Sequence, residues 1–227
     1  MSTPFTRRAV LVALAGLPLA SQAAAWAQEE KEKKEEPAWK PLFDGKSLAG
    51  WKRTEFAGGG EVRVEKSFRG GPGAIVVGAG ETLSGFNWTG EMPKTSYEIS
   101  LEVLKIEGED FMLGLTFPVA DSHATLIVGG WGGPVSGISS IDNSDASQNA
   151  TTRYLDLVKD RWYRVRMRVT PTRLETWLDD EKIVDQDIQG RKISLRPGSI
   201  SLSKPLGIAT FRTSAAYRDL KLRELKP

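Results

Sequence analysis

The chain has 227 residues, with 31 Lys and Arg against 29 Asp and Glu, a single His and no Cys. Without cysteine there are no disulfides, no thiol nucleophiles and no zinc sites of the Cys type. The charges nearly balance and no basic stripe stands out, which excludes nucleic acid as a partner.

In chain order the first element is a leader. Thr6-Arg7-Arg8 precedes the apolar run Ala9 to Ala20, and Ala25-Trp26-Ala27 follows as a small-x-small cleavage pattern. A positive start, a short apolar stretch and such a site read as a signal peptide over residues 1–27, and the paired arginines suggest the twin-arginine route. The expected destination is periplasmic or extracellular. Cleavage removes Arg7 and Arg8 and leaves 29 residues of each sign. No second apolar stretch is long enough to span a bilayer, so the mature chain is expected not to cross one. Residues 28–38, opening QEEKEKKEEP, alternate in charge with no apolar face and read as a solvated linker.

From Trp39 to the end the pattern is β. Tyr97 to Val103 and Tyr163 to Val169 alternate apolar and polar residues, the second with Arg164, Arg166 and Arg168 on its outer face. Glu61, Arg63 and Glu65 alternate with Val62 and Val64 as the outer face of an edge strand. Leu174 to Leu178 and Lys182 to Asp185 flank a polar break suited to a hairpin. Ser199 to Ser203, Ala209 to Arg212 and Arg218 to Leu225 complete the predicted strands, the last with Leu220 and Leu222 inward. No helical periodicity persists past Pro37. The expectation is an all-β, antiparallel sandwich in one domain, 39–227.

Several residues could carry chemistry. His123, just before the apolar run Ala124 to Val128, is a natural general base or lone metal ligand, or an ordinary strand-edge histidine. Trp131 stands between two Gly-Gly pairs, as a flat platform for a sugar's C–H face or as a plug at one end of the sandwich. Asp142, Asn143, Asp145 and Asn149 crowd one loop and could bind Ca²⁺ or another divalent cation, contact sugar hydroxyls, or simply make turns. Glu109 and Asp110 are adjacent, so on a strand at most one of them faces a given cleft.

Three stretches resemble one family. Pro41-Leu42-Phe43-Asp44-Gly45-Lys46-Ser47-Leu48-Ala49-Gly50-Trp51 is similar to the opening block of the 3-keto-disaccharide hydrolase domain family. Asp160 to Arg166, with the break at Asp179, resembles its penultimate block, and Phe211-Arg212 with Tyr217 to Leu225 its closing strand. The middle departs from the family: Asp110 to Pro118 lacks the Asn-Ser-Gly of typical members, which suggests a divergent branch of the planctomycete type. The resemblance implies a concanavalin or laminin-G-like jelly roll and hydrolysis of glycosides that carry a ketone at C3. That ketone acidifies C2–H, so the bond at C1 can leave by elimination before water adds back, given a base and a group that polarises the carbonyl. The expected partner is an oligo- or polysaccharide. The candidate catalytic residues are His123, Asp142 and Asp110; the candidate substrate contacts are Trp131, Asn143, Asp145 and Asn149. The alternative function is a non-catalytic carbohydrate-binding or cell-envelope module, which needs only aromatic platforms and amides.

Overall fold

A computed structural model describes residues 37–226. The expected leader, and the expected linker up to Glu36, lie outside the described residues. The strands are β1 (Lys40–Pro41), β2 (Trp51–Arg53), β3 (Val62–Glu65), β4 (Ala74–Val77), β5 (Leu83–Trp88), β6 (Tyr97–Gly108), β7 (Leu113–Val119), β8 (Ser122–Gly130), β9 (Val135–Ser139), β10 (Arg153–Tyr154), β11 (Trp162–Val169), β12 (Arg173–Leu178), β13 (Glu181–Asp187), β14 (Gly207–Phe211) and β15 (Thr213–Glu224). They form two antiparallel sheets. The first has the order β13-β12-β11-β6-β15-β4-β3, with β1 beside β15; the second has β10-β9-β8-β7-β14-β5-β2. The all-β antiparallel sandwich expected from the alternation is what the chain adopts. Among the described residues no helix is long and apolar enough to cross a membrane.

The alternation explains the packing. On β11, Tyr163, Val165, Met167 and Val169 point inward and are buried, while the three arginines point out. They meet Ile99, Leu101 and Val103 of β6, and from the second sheet Leu113, Leu115, Phe117 and Leu126. Two tyrosines stitch the layers across this apolar space. The Tyr97 hydroxyl donates to the Pro118 carbonyl at 2.5 Å and the Tyr217 hydroxyl to that of Met112 at 2.6 Å. Burial pushes both phenols well above their ordinary pKa, so each stays a donor at any physiological pH. Leu220 and Leu222 lie in the same core.

The outer face of the first sheet is built around an acid. Glu98 is wholly buried and its carboxylate meets Arg166 (3.0 Å), Arg168 (2.5 Å) and Arg223 (2.5 Å). It thus ties together β6, β11 and β15, three adjacent strands. Arg166 also lies over the Trp177 ring, 3.7 Å from its centroid.

The opening block proves to be a cap. Asp44 accepts hydrogen bonds from the backbone of Lys46 and Ser47, and Gly45 and Gly50 take the positive φ angles of 74° and 79° that the turns require. Trp51 then turns into the core, donates its indole N–H to the Leu42 carbonyl at 2.7 Å, and meets Phe86 and Trp88 edge-on.

One expected strand is absent. Ser199–Ser203 forms a short 3-10 helix, with Gly198 before it at φ 126°. The alternation Ser-Ile-Ser-Leu-Ser mimics a strand, but Pro197-Gly198 and Pro205 bracket it too closely for a ladder. Instead, residues 189–206 run as a strap over the outer face of the second sheet.

Candidate functional site

That outer face is made of small side chains. Ser139, Thr125, Thr116 and Gly207 are aligned across β9, β8, β7 and β14, and a second row runs Gly137, Ile127, Gly114, Ala209 and Gly85. Such rows leave a shallow trough into which the strap and two aromatic rings settle. A Cβ on Gly114 would stand 3.0 Å from the Phe111 ring, so the glycine makes room for that ring.

The strap is fixed at both ends. Ser140 and Ser194 exchange backbone hydrogen bonds (2.8 and 3.2 Å), and the Asn87 amide donates to the carbonyls of Leu202 (2.6 Å) and Lys204 (3.0 Å). Between these anchors, Arg196 to Ile200 stand away from the sheet and enclose a cleft of about 400 Å³. Its floor is Thr125, Ile127 and Ser139; Leu83, Phe111 and Phe211 form one wall, and Arg196 and Trp131 stand at its edge. The Phe111 and Phe211 rings are 6.0 Å apart, and the Arg196 guanidinium is 5.9 Å from the centre of the Trp131 ring.

Trp131 is 39 % exposed, so it is a surface ring and not a plug. It occupies the β8–β9 turn at φ 52°, followed by Gly132 at φ 81° and Gly133 at φ 115°. Asp110 holds this turn: one carboxylate oxygen accepts from the Phe111 N–H (2.8 Å), the other from the Gly132 N–H (3.2 Å). Asp110 is also the one acid lining the cleft. Asp145 works from beside the cleft. It accepts the Ser139 hydroxyl at 3.0 Å and lies 3.4 Å from Arg196, orienting two groups that face the cleft.

The other predicted residues sit elsewhere. By alternation His123 shares its face with Thr125 and Ile127, but it is one step beyond the cleft lining. Burial and the nearby Lys204 lower its pKa, so its ring is neutral at pH 7. Asp142 and Asn143, both at positive φ (50° and 64°), are the central residues of a tight turn between Ile141 and Ser144. The Asp142 carboxylate reaches the strap, at the Lys192 N–H (2.9 Å) and Arg191 (2.8 Å), and these contacts hold its pKa down. Asn149 is spent on the backbone: its amide N–H groups face the carbonyls of Ile138, Ser144 and Asp145, and its oxygen accepts from Thr151.

The acids of this loop are engaged by the rest of the chain. They face different partners, and among the described residues no group of three or more His, Cys, Asp or Glu is placed to hold a metal ion. Arg196, Phe211 and Ser139 were not among the candidate site residues read from sequence. Pro197-Gly198 beside Arg196 was the available clue, since this dipeptide marks a bend and not a strand.

Comparison with known proteins fits this architecture. No curated protein matches the chain by sequence. Among solved structures, the carbohydrate-binding module CBM66 from Bacillus subtilis is similar (12 % identity, 77 % of this chain and 96 % of that one, TM-score 0.53). So is a protein of Parabacteroides distasonis described as a candidate glycosyl hydrolase (17 %, 87 % and 97 %, TM-score 0.53). A galectin-like protein of unknown function from Bacillus subtilis aligns at TM-score 0.55 (12 %, 83 % and 96 %). At these identities the likeness establishes the fold. Residues 38–223 match the family described as the 3-keto-alpha-glucoside-1,2-lyase-like domain. The chain, a β-sandwich of carbohydrate-related type, belongs to that family.

Proposed function

We propose that this chain recognises carbohydrate in the cleft between the strap and the second sheet, as an exported protein. The observation that carries the reading is Trp131, a half-exposed ring on a turn clamped by Asp110, at the mouth of a cleft with one apolar wall of Leu83, Phe111 and Phe211. A pyranose presents C–H groups on one face and hydroxyls around its rim. Trp131 takes the first; Ser139, Arg196 and Asp110 take the second. Asp145 presets the Ser139 hydroxyl and the Arg196 guanidinium, so little ordering is left to be done on binding. Export rests on residues 1–27.

A second reading, favoured by the family match, is turnover of a 3-keto-glycoside. With a ketone at C3, the Asp110 carboxylate would take the C2 proton, the C1–O bond would break, and the departing oxygen would collect a proton. Water would then add to the resulting double bond. Asp110 is the base for this step because His123 lies outside the lining.

The test is calorimetric titration of the purified chain with a 3-keto-disaccharide and its unoxidised parent, beside an assay for released monosaccharide. Binding that weakens about tenfold in Trp131→Ala, a loss of about 1.4 kcal/mol, supports the cleft. Binding unchanged by that substitution, or no binding, rejects it. Release of monosaccharide from the keto sugar, abolished in Asp110→Asn, establishes turnover.

A further inference from the structure

A second cavity, of about 450 Å³, lies across the Gly132–Gly133 turn from the cleft and is lined in part by a largely buried lysine. On β6, Ile99, Leu101 and Val103 face the main core, while Leu104 and Ile106 belong to a cluster on the outer face. The same alternation points Lys105 inward, between the sheets at their open end. Only 6 % of this residue is exposed. Among the described residues no hydrogen-bond acceptor and no carboxylate ties its amine down; Glu109 and Asp110 act on it through space alone.

The stem of this inward lysine is buried while its amine opens onto the cavity, where water or a ligand can accept from it. Burial accordingly pulls its pKa below the usual lysine range, with Asp110 and Glu109 pulling back. The cavity beyond the amine is lined by two cations, Lys105 and Lys159, and two acids, Glu109 and Asp156. A lining with no net charge, and an amine that no acceptor among the described residues holds, suits a monoanion better than a dianion. The acids are acceptors for hydroxyl groups. The volume suits one ring-sized molecule.

We propose that this cavity is a second binding site, for a small hydroxy-carboxylate of the sugar-acid class, with the carboxylate on Lys105 and the hydroxyls on Glu109 and Asp156. It is independent of the cleft, since Trp131 faces the other side of the turn that the two share.

Titrating the purified chain with D-glucuronate, D-glucose and inorganic phosphate tests it. The expected order is glucuronate binding about tenfold or more tighter than either of the others, as a charge-assisted hydrogen bond requires. Lys105→Met keeps the stem and should lose that preference, whereas Trp131→Ala should keep it. A measurement on the unaltered protein guards against a misfolded variant: glucuronate, and not glucose, should slow acetylation of Lys105 by acetic anhydride, followed by mass spectrometry. Glucuronate binding no tighter than glucose overturns the proposal, as does phosphate binding equally well, or acetylation of Lys105 at the same rate with and without glucuronate.

Discussion

Replacing Glu98 by Gln should be among the most damaging single changes in the first sheet. The carboxylate is fully buried and meets three guanidinium groups, one of them on Arg223, itself only 7 % exposed. A neutral amide leaves those cations facing a dipole, and one of its ends donates where an acceptor is needed. Breaking a buried ion pair costs about 3–5 kcal/mol. Water reaches the side chains of Arg166 and Arg168, which are 30 % and 31 % exposed, so the low end, about 3 kcal/mol, applies here. For a domain of this size that is a fall of about 6–12 °C in Tm. The same reasoning fixes the pH dependence. Burial alone would raise the Glu98 pKa, but the hydrogen bonds and charges of Arg168 and Arg223 outweigh it, and the folded value is lowered. Its contribution is therefore complete above the unfolded glutamate pKa of about 4.3 and fades as pH falls through the lower folded value. Thermal melts of both proteins at pH 7 and in strong acid check this. The gap should be wide at pH 7 and narrow where Glu98 is protonated. A difference of less than about 1 kcal/mol at pH 7 would refute the argument, because it would put the trio in the class of solvated surface pairs.

Other substitutions probe the strap and the sheet beneath it. Asp142→Ala removes the acceptor of the Lys192 N–H, so hydrogen exchange of that amide should speed up while exchange in β6 and β11 stays unchanged. Because the Asp142 pKa is lowered in the folded chain, the wild-type tether should persist in mild acid and loosen only as pH falls through that lowered value. Gly85→Ala would drive a Cβ into the backbone carbonyl of Ile208; a loss of about 2 kcal/mol or more in urea denaturation is expected, since the neighbouring strand cannot yield as a flexible side chain would. Asp145→Ala should weaken sugar binding without lowering Tm by as much as Glu98→Gln, because it frees Ser139 and Arg196 but leaves the ladder intact.

How much of this was legible follows the range of the forces involved. Period-two alternation is local, so Tyr163 to Val169 and Tyr97 to Val103 announced both strands and which residues face inward. Trp131 was legible because its flanking glycines advertise an unusual backbone. The cleft itself was not. It is closed by contacts such as Asp142 with Arg191 and Asp145 with Arg196, about fifty residues apart in the chain, and no spacing rule pairs them. The segment 199–203 misled because alternation of Ser with Ile and Leu is equally available to a strand and to a 3-10 turn with one side on a sheet; the prolines beside it, not its own pattern, decided. The Asp142–Asn149 loop is a different case, since oxygen-rich composition says what a loop could hold and nothing about which way its oxygens turn.

The strap belongs to neither ladder, and that has an engineering consequence. Its middle, from Arg196 to Ile200, can be rewritten without removing a single cross-strand hydrogen bond, so long as the seams at Ser194 and Asn87 are kept. A library randomised at those five positions would sample new mouths on an unchanged frame, much as an interchangeable tool head is swapped on a fixed handle.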